Sequence, residues 1–326
     1  MTSRTKIQSL LRHHPGEYFS GEKISHLLNI SRAAVWKQVK ALREEGYDIE
    51  AKHSLGYRLL GVPDLLVGTE IEAELNCRVI GSQVVSFTET DSTNVQARRL
   101  AEAGGTEGLV VIADQQSAGR GRLGRQWESP SGINLYCSIV LRPQIPLQQA
   151  PQLTFLSAVA VVETLQEVYQ LPTEVKWPND VMVNGAKISG LLNEMSAETE
   201  QIHFVILGVG VNLNMTESQF PDSLNYPATS VLLETGQPVD RLDFTCHFLQ
   251  RLDLYYTEFL CEGFSPIRRR WESYCGLINA QVEVDQGINR CCGTVVGLDL
   301  DGALRLQLDS GKIERILAGD VRPIEK

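Results

Sequence analysis

The sequence predicts an α/β protein of several domains, with a small helical head, a central layered α/β domain and an all-β C-terminal segment. Residues 1–62 hold two helical patterns and a hairpin, the middle of the chain alternates strands and helices, and short strands separated by turn signals follow residue 276. The chain has 326 residues and is 43% hydrophobic. A chain of this kind can bury a sizeable core and divides into about two or three domains.

Helical periodicity defines the head. Two sets of apolar residues each fall on one helix face: Ile24, Leu27 and Leu28 in the first, and Val35, Val39 and Leu42 in the second. Ser20 and Ser31 are expected to cap the two helices, and Asn29 and Gly46 to end them. A short turn, Asn29-Ile30-Ser31, separates the helices, so the sequence predicts a helix-turn-helix.

A hairpin follows the second helix. Residues 49–53 and 57–60 flank Ser54-Leu55-Gly56 and are expected to pair as a wing. We therefore predict a winged helix-turn-helix over residues 1–62, with a linker near Gly61-Val62-Pro63-Asp64 where the proline disfavours continuation of the strand.

The head is basic and the rest of the chain is acidic. Residues 1–62 hold ten Lys and Arg against six Asp and Glu, a net charge of +4, whereas the whole chain carries −10, which leaves about −14 for the remainder. The face opposite Val35 combines small residues with lysines and is suited to the major groove of DNA. The expected DNA contacts are Ser31, Arg32, Ala33, Lys37, Lys40, Lys52 and Arg58. A helical domain that docks a protein remains an alternative.

Strands and helices alternate through the central domain, which we predict over residues 66–275. Strands are expected at about 109–115, 134–142, 173–177, 187–194 and 203–210, and helices at about 93–103 and 149–169. One sheet with helices packed against it accounts for this pattern.

A run of glycines and arginines, Gly119-Arg120-Gly121-Arg122-Leu123-Gly124-Arg125-Gln126-Trp127, lies between two predicted core strands. Glycines allow the backbone to close tightly around a ligand, and guanidinium groups donate bidentate hydrogen bonds to phosphate or carboxylate. A flexible nucleic-acid tether or a solvated loop is the alternative. The position between buried strands favours an anion-binding loop in a folded site.

Three further polar clusters fall at strand ends: Asp91-Ser92-Thr93-Asn94, Lys176-Trp177-Pro178-Asn179-Asp180 and Lys187-Ile188-Ser189-Gly190. Ser92 is equally suited to cap the helix that follows it, and the two lysines could be surface cations. Asp180 could cap a turn, or act as a base or a metal ligand beside the lysines. Trp127 could be an ordinary core residue.

The last part of the chain, 276–326, predicts a small β-barrel. Strands are expected at 280–284, 292–298, 303–308 and 313–316, separated by the hairpin signals Asp301-Gly302 and Ser310-Gly311. Before it, the segment 215–229 is longer than a connector requires and contains two prolines, so it is a candidate lid.

Composition excludes several classes of protein. Uninterrupted apolar runs stay short of the ~18 residues of a membrane span, and residues 1–11 lack the apolar core of a secretory signal. The seven cysteines are odd in number and scattered, without metal-ligand spacing. We expect a soluble cytoplasmic protein with reduced thiols and no membrane association.

The order of these motifs is more specific than any one of them. The polar cluster at 91–94, Gln116 with the glycine-arginine loop, the clusters at 176–180 and 187–192, and Gly208-Val209-Gly210-Val211-Asn212 together resemble the biotin-protein ligases. With the winged head, the resemblance extends over essentially the full length to the bifunctional ligases that also repress the biotin operon. Leu123, Ser189 and Asn193 depart from the common pattern.

The resemblance implies a central domain like the class II aminoacyl-tRNA synthetases, an SH3-like C-terminal barrel, and a two-step reaction. Biotin and ATP with Mg²⁺ form biotinyl-5'-adenylate, and biotin is then transferred to a lysine of a carrier protein. The implied catalytic residues are Arg122, Lys187 and Asp180. The implied biotin contacts are Ser92, Thr93, Asn94, Gln116, Arg120, Gly121, Arg122, Lys187 and Gly190. The implied ATP or adenylate contacts are Arg122, Arg125, Trp127, Asn179, Asp180, Lys187 and Asn212, and no protein ligand is assigned to the metal.

The resemblance also implies partners. The carrier would be the biotin carboxyl carrier subunit of acetyl-CoA carboxylase, and an adenylate-bound homodimer would bind a palindromic operator. The ending Gly319-Asp320-Val321-Arg322 would contact ATP or the carrier. A ligase with a non-functional DNA-binding head, a lipoate-protein ligase and a transcription factor that only senses the adenylate remain alternatives.

Overall fold

The computed structural model describes residues 3–44, 46–61, 65–198, 201–222, 224, 226–287 and 289–324. The chain forms two compact units, 1–74 and 75–326. The elements of the first unit are α1 Ser3–Arg12, α2 Gly21–Leu28, α3 Arg32–Glu44, β1 Asp48–Lys52, β2 Gly56–Gly61 and α4 Gly68–Glu74. Strands β1 and β2 pair in antiparallel fashion as a hairpin. The winged helix-turn-helix predicted for the head is therefore present.

Short polar side chains set the ends of the two central helices of the head. Ser20 accepts a hydrogen bond from the backbone amide of Lys23 at 3.0 Å, and Ser31 accepts one from Ala34 at 3.1 Å. Asn29 ends α2 in the left-handed region, at φ 51°. These three predictions are confirmed. Leu27 was wrongly placed on the buried face, because its side chain is 58% exposed.

Two helices of the head were not predicted. Helix α1 inserts Ile7 and Leu11 into the core formed by α2 and α3. Helix α4 packs on α1, and its Glu70 accepts hydrogen bonds from Arg12 and Tyr47. The first compact unit consequently includes residues that the prediction gave to the central domain. Residues 62–64 of the predicted linker lie outside the described residues.

The second unit is built on a seven-stranded mixed sheet. Its strands are β3 Gln83–Thr90, β4 Leu109–Gln116, β5 Leu135–Leu141, β6 Thr173–Lys176, β7 Asp180–Val183, β8 Ala186–Glu198 and β9 Gln201–Val211, in the order β3-β4-β5-β9-β8-β7-β6. Strands β3 and β4 are parallel, and every other pair is antiparallel. The predicted strands are all present, and β3 and β7 were missed.

Helices surround this sheet: α5 Thr93–Glu102, α6 Gln152–Tyr169, α7 Val231–Thr235, α8 Arg241–Glu262 and α9 Ser265–Tyr274. Helix α6 is buried from Gln152 to Leu165, because it packs against the sheet and against α8 and α9. The predicted α5 and α6 are confirmed, whereas α7, α8 and α9 were not predicted. No helix among the described residues is long and apolar enough to cross a membrane.

The C-terminal strands form a five-stranded antiparallel sheet. They are β10 Gln281–Asp285, β11 Arg290–Leu298, β12 Leu304–Gln307, β13 Ile313–Ile316 and β14 Asp320–Pro323, in the order β13-β12-β11-β10-β14. The predicted strands are confirmed and β14 is additional. This sheet belongs to the second compact unit, because Gln152 donates to the carbonyl of Leu300 at 2.6 Å and the Trp177 indole donates to that of Gly302 at 3.3 Å.

Candidate functional site

One cavity of about 460 Å³ lies in the second unit, where the glycine-arginine loop, strands β8 and β9, β14 and described residues of the segment 215–229 meet; residues 223 and 225 of the candidate lid lie outside the described residues. The residues predicted to be catalytic or to contact biotin or adenylate all line it: Ser92, Thr93, Asn94, Gln116, Arg120, Gly121, Arg122, Arg125, Trp127, Asn179, Asp180, Lys187, Gly190 and Asn212. Of the ending 319–322, Asp320 and Val321 line it as well. Their individual roles remain predictions. The volume lies within the range of about 300–1,000 Å³ that is usual for small-molecule sites.

Backbone hydrogen bonds close the glycine-arginine loop on itself. The amide of Gly121 donates to the carbonyl of Arg125 at 2.7 Å, and the amide of Trp127 donates to that of Gly119 at 3.0 Å. A side chain at Gly119 would overlap the Trp127 carbonyl, so glycine is required there. Leu123, at the tip, adopts a left-handed φ of 57° and is 78% exposed.

Two arginines of the loop are held by polar partners across the cavity. Arg122 donates from Nη1 to Asn179 Oδ1 at 3.1 Å. Burial lowers the pKa of the Arg122 guanidinium, which nevertheless remains a cation. Arg125 donates from Nη2 to Asp320 Oδ2 at 2.5 Å, and this hydrogen bond raises the pKa of Arg125. The loop is thereby connected to the turn that precedes β7 and to β14.

Lys187 faces the same cavity from β8. Its Nζ lies 2.7 Å from Asp180 Oδ1 on the neighbouring strand β7. Its backbone donates to the carbonyl of Pro227 at 2.7 Å and accepts from Thr229 at 2.9 Å, which ties the candidate lid to β8. Guanidinium and ammonium groups from separate strand ends therefore converge on one space.

Uncharged polar groups line another part of the wall. The amide of Thr93 donates to Gln116 Oε1 at 2.8 Å, and Gln116 Nε2 donates to Ser129 Oγ at 2.8 Å. Ser92 occupies the N-cap position of α5, as predicted, but its side chain makes no capping hydrogen bond. Ser129 was not predicted, because nothing in the local pattern distinguishes it from an ordinary loop serine.

The Trp127 indole packs over two glycines of adjacent strands. An ideal Cβ would lie 2.9 Å from the ring at Gly190 and 2.6 Å from it at Gly210. The indole nitrogen is buried and has no hydrogen-bond partner among the described residues. Gly190 was predicted to contact biotin, and the groups nearest to a Cβ at this position are Trp127 and Lys187.

We predict that Gly210→Ala displaces the Trp127 indole into the cavity. Overpacking of this kind costs about 1–3 kcal/mol, measurable as a lower Tm, and the cavity also loses volume. Gly210→Ala in a Trp127→Phe background is the matched control, because the contacted ring atoms are partly absent there. An equal loss of Tm in both backgrounds would rule out the clash as the cause.

The candidate lid carries an aromatic residue that was not predicted. Lys176 Nζ lies 3.4 Å from the centroid of the Tyr226 ring, and the Arg322 guanidinium lies 6.0 Å from it on the strand β14. Burial lowers the pKa of Lys176. Tyr226 and Asp320 both line the cavity. Asp320 belongs to the ending that the sequence analysis expected to contact ATP or the carrier.

In the first unit, most of the predicted DNA contacts are exposed: Ser31, Arg32, Ala33, Lys37, Lys40 and Lys52. Arg58 is the exception. It is half-buried, stacks 4.7 Å from the centroid of the Tyr18 ring and donates to Glu50 Oε2 at 2.7 Å. The hydrogen bond from Tyr18 lowers the pKa of Glu50, with Arg58 contributing, and a DNA contact by Arg58 stays a prediction.

Comparison with known proteins extends over nearly the whole chain. The chain is 39% identical to the bifunctional ligase/repressor BirA of Bacillus subtilis (strain 168), over 98% of this chain and 98% of that protein. It is 32% identical to the bifunctional ligase/repressor BirA of Escherichia coli (strain K12), over 97% of this chain and 95% of that protein. The chain belongs to the bifunctional ligase/repressor family.

Three family models match successive parts of this chain. They are an HTH domain over residues 3–58, the biotin/lipoate A/B protein ligase family over 84–212 and the biotin protein ligase C terminal domain over 281–322. The structure is also similar to the biotin protein ligase from Aquifex aeolicus in complex with biotin and ATP, with a TM-score of 0.64 and 31% identity over 75% of this chain and 100% of that chain. The chain therefore combines an N-terminal helix-turn-helix, a central mixed-sheet ligase domain and a C-terminal antiparallel sheet.

Proposed function

We propose that this protein condenses biotin with ATP to biotinyl-5'-adenylate and transfers the biotinyl group to a lysine of a biotin carboxyl carrier protein. The observation that carries the proposal is the convergence of Arg122 and Lys187 on a cavity whose wall also offers uncharged polar side chains, Ser92, Thr93 and Gln116 among them. The family of the chain supports the same reaction.

The first step joins two anions. A carboxylate oxygen of biotin attacks the α-phosphorus of ATP, a P–O bond forms, and the bond to the pyrophosphate leaving group breaks. Repulsion between the reactants opposes this approach, so cations must be held in place before the reactants meet. Arg122 would cover the carboxylate and the α-phosphate, Lys187 would stabilise the charge that develops between them, and Arg120 would support the loop.

Recognition of biotin requires few charges, because its ring is a neutral urea with an apolar tail. Ser92, Thr93 and Gln116 are buried or half-buried at the cavity and offer hydroxyl and amide groups. Gly121 would admit the ligand close to the backbone, Gly190 makes room for the Trp127 ring and Lys187 at the wall, and Asn94 also lines the cavity. This arrangement suits a site in which fixed polar groups orient an otherwise apolar ligand.

The nucleotide would occupy the opposite part of the cavity. Trp127 would present an aromatic face to adenine, and Asn179, Asn212 and Arg125, which also line the cavity, would donate to ribose and phosphate oxygens. Asn212 is buried and donates to the carbonyl of Thr229 at 3.1 Å. A nucleotide that binds Asn212 would therefore also affect the candidate lid, to which Thr229 belongs.

Among the described residues, no group of three or more His, Cys, Asp or Glu side chains is arranged to hold a metal ion such as Mg²⁺. The carboxylates of Asp180 and Asp320 each pair with a cation of the protein. We propose Mg²⁺ only as the counterion that ATP carries on its phosphates, as is usual for this ion.

Transfer requires a neutral amine. The carrier lysine attacks the carbonyl carbon of the mixed anhydride, an amide bond forms, and AMP leaves. Asp180 is the proposed acceptor of the proton, and it would exchange its ion pair with Lys187 for the incoming amine. The acidic remainder of the chain argues against broad electrostatic attraction, so carrier recognition would be local.

Incubation with biotin, ATP and Mg²⁺ tests the first step. We expect a product with the mass of biotinyl-5'-adenylate and one equivalent of pyrophosphate, and transfer of labelled biotin on addition of a carrier domain. The same incubation with lipoate in place of biotin measures which of the two acids the protein adenylates. Adenylation of lipoate but not biotin, or of neither, would overturn the proposal.

We further propose that the head represses transcription by binding an operator as an adenylate-loaded dimer. The exposed lysines and the helix-turn-helix support DNA binding. Ordering of the segment 215–229 by the adenylate would couple catalysis to dimerisation. Sedimentation with and without biotin and ATP tests the dimer, and a monomer under both conditions at high protein concentration would contradict it.

Lys37→Ala is expected to weaken operator binding and to reduce the slope of log K against log salt by about 0.9, because one phosphate contact is lost. Lys37 is exposed on α3, and its pairing to DNA would be through a phosphate. Arg58→Ala is the matched comparison, because Glu50 already neutralises that cation. If the slope of log K against log salt is the same for Lys37→Ala and the unchanged protein, Lys37 does not contact a DNA phosphate.

A further inference from the structure

Helix α3 of the head carries an exposed tryptophan in the middle of its cationic face. Trp36 is 58% exposed, whereas Val35 and Val39 of the same helix are almost completely buried. We propose that Trp36 contacts the methyl group of a thymine in the major groove of the operator. The proposal rests on the proposed binding of DNA by the head, and it deepens that function because it assigns a residue that distinguishes one base from the other three.

Trp36 is not among the described residues that form the hydrophobic core of the head. The buried members of that core are Ile7, Leu11, Phe19, Ile24, Val35, Val39, Leu42, Tyr47 and Ile49. Leaving most of an indole ring in water forgoes the stabilisation that its burial would give. Core packing of the head therefore does not explain a tryptophan at position 36, and its replacement should leave the fold intact.

The residues that share the exposed face of α3 with Trp36 are small or cationic. Arg32 and Ala33 lie one turn before it and Lys40 lies one turn after it, and all three are exposed. Lys40 Nζ lies 5.7 Å from the centroid of the indole ring, which is a cation–π contact. Lys37, the next residue in the chain, is exposed as well. One apolar ring is thus bordered by cations.

Charge complementarity indicates what covers this face. Residues 1–62 hold ten Lys and Arg against six Asp and Glu, so a second head would be repelled and a polyanion attracted. The acidic residue of α3, Glu44, lies at the C-terminal end of the helix, where its carboxylate is 3.7 Å from Lys40 Nζ. The face therefore suits DNA, which the second helix of a helix-turn-helix contacts in the major groove.

Cations and an aromatic ring make different contacts with DNA. Lysine and arginine neutralise phosphates, which positions the helix but does not distinguish one base sequence from another. An indole carries no charge for a phosphate, so from the middle of this face Trp36 would contact the edges of bases. Thymine alone presents a methyl group in the major groove, and apolar side chains contact that group. Trp36 would therefore favour thymine at one position of each half-site.

Selection of binding sites tests the assignment. A random-sequence duplex library is selected with the full-length protein in the presence of biotin, ATP and Mg²⁺, and the same selection is made with Trp36→Ala, Trp36→Phe and Leu27→Ala. Leu27 on α2 is the matched control, because it is apolar and is also 58% exposed. We expect Trp36→Ala to lose the preference for thymine at one position of each half-site. Trp36→Phe keeps an apolar ring, so it and Leu27→Ala should retain the preference.

The affinity for the selected duplex measures the size of the contact. Replacing that thymine with deoxyuridine removes only the methyl group, and it should raise the Kd of the unchanged protein about fourfold. Trp36→Ala should raise the Kd for the thymine duplex about tenfold and make it insensitive to deoxyuridine. The slope of log K against log salt should stay unchanged in Trp36→Ala, in contrast to Lys37→Ala, because no phosphate contact is lost.

The proposal is overturned if Trp36→Ala selects the same sequences as the unchanged protein, or if Leu27→Ala loses the same preference. It is equally overturned if Trp36→Ala alters the sedimentation of the protein without DNA but keeps the preference, because the ring would then lie between two copies of the chain. Should Trp36→Ala fail to fold, deoxyuridine at each selected thymine is tested with the unchanged protein, and a constant Kd refutes the contact. Failure of the unchanged protein to select any sequence would instead refute the proposed operator binding.

Discussion

Replacing Lys187 with methionine is expected to slow the formation of biotinyl-5'-adenylate by about 10²–10³-fold, because the loss of one preorganised charge contact at a developing anion costs about 3–4 kcal/mol. Methionine keeps the apolar stem of the side chain and removes only the ammonium group. That group lies 2.7 Å from Asp180 and faces the cavity. Without it, Asp180 would add an uncompensated negative charge to a site that must bring two anions together.

Single-turnover measurement of adenylate formation at saturating biotin and ATP isolates this effect from binding. Lys312→Met serves as the control, because Lys312 is an exposed lysine in the C-terminal sheet region, outside the cavity. A Lys187→Met protein with less than a tenfold loss would show that the reaction depends on other cations, and the role proposed for Lys187 would be abandoned.

Replacing Asp114 with alanine is expected to destabilise the second unit by about 3–5 kcal/mol, because it removes one partner of a buried ion pair. Arg241 is fully buried, and its Nη2 lies 2.7 Å from Asp114 Oδ1. Ser131 donates to the other carboxylate oxygen at 2.6 Å. The variant leaves the guanidinium of Arg241 in the core without its carboxylate, and the penalty follows from desolvation of that charge.

Thermal unfolding measures the effect. A loss of this size corresponds to a drop in Tm of about 6–20 °C for a unit of this size. Arg290→Gln breaks an exposed ion pair with Glu283 and is expected to leave the Tm nearly unchanged. The double variant Asp114→Leu with Arg241→Met should recover most of the loss, since no buried charge remains. A Tm for Asp114→Ala equal to that of Arg290→Gln would contradict the argument.

Local signals accounted for much of the head. The N-caps Ser20 and Ser31 and the left-handed Asn29 act within one turn of chain, so their effect is visible without tertiary context. The hydrophobic periodicity of α3 predicted its buried residues for the same reason. Helix α1 was missed, although Ile7 and Leu11 are buried, because its apolar positions are few and their burial depends on packing against the rest of the head core.

The candidate site was predicted through the order of its motifs rather than through any single residue. The glycine-arginine loop and the lysine clusters all line one cavity, as the resemblance required. Ser129 and Tyr226 were missed because an isolated serine and an isolated tyrosine carry no distinctive pattern. Their place at the site arises from contacts between residues far apart in the chain, such as the contact of Tyr226 with Lys176.

The sequence by itself determined which residues are apolar, which turns close locally and which charges are available, and these properties were sufficient for the domain classes and the loop. Only the tertiary structure decided which partner each polar group received. Asn179 lies opposite Arg122, Asp320 opposite Arg125, and Glu50 neutralises Arg58. The physical reason is that helix and turn signals act over a few residues, whereas the direction of a hydrogen bond or an ion pair depends on strands that meet only after the chain has folded.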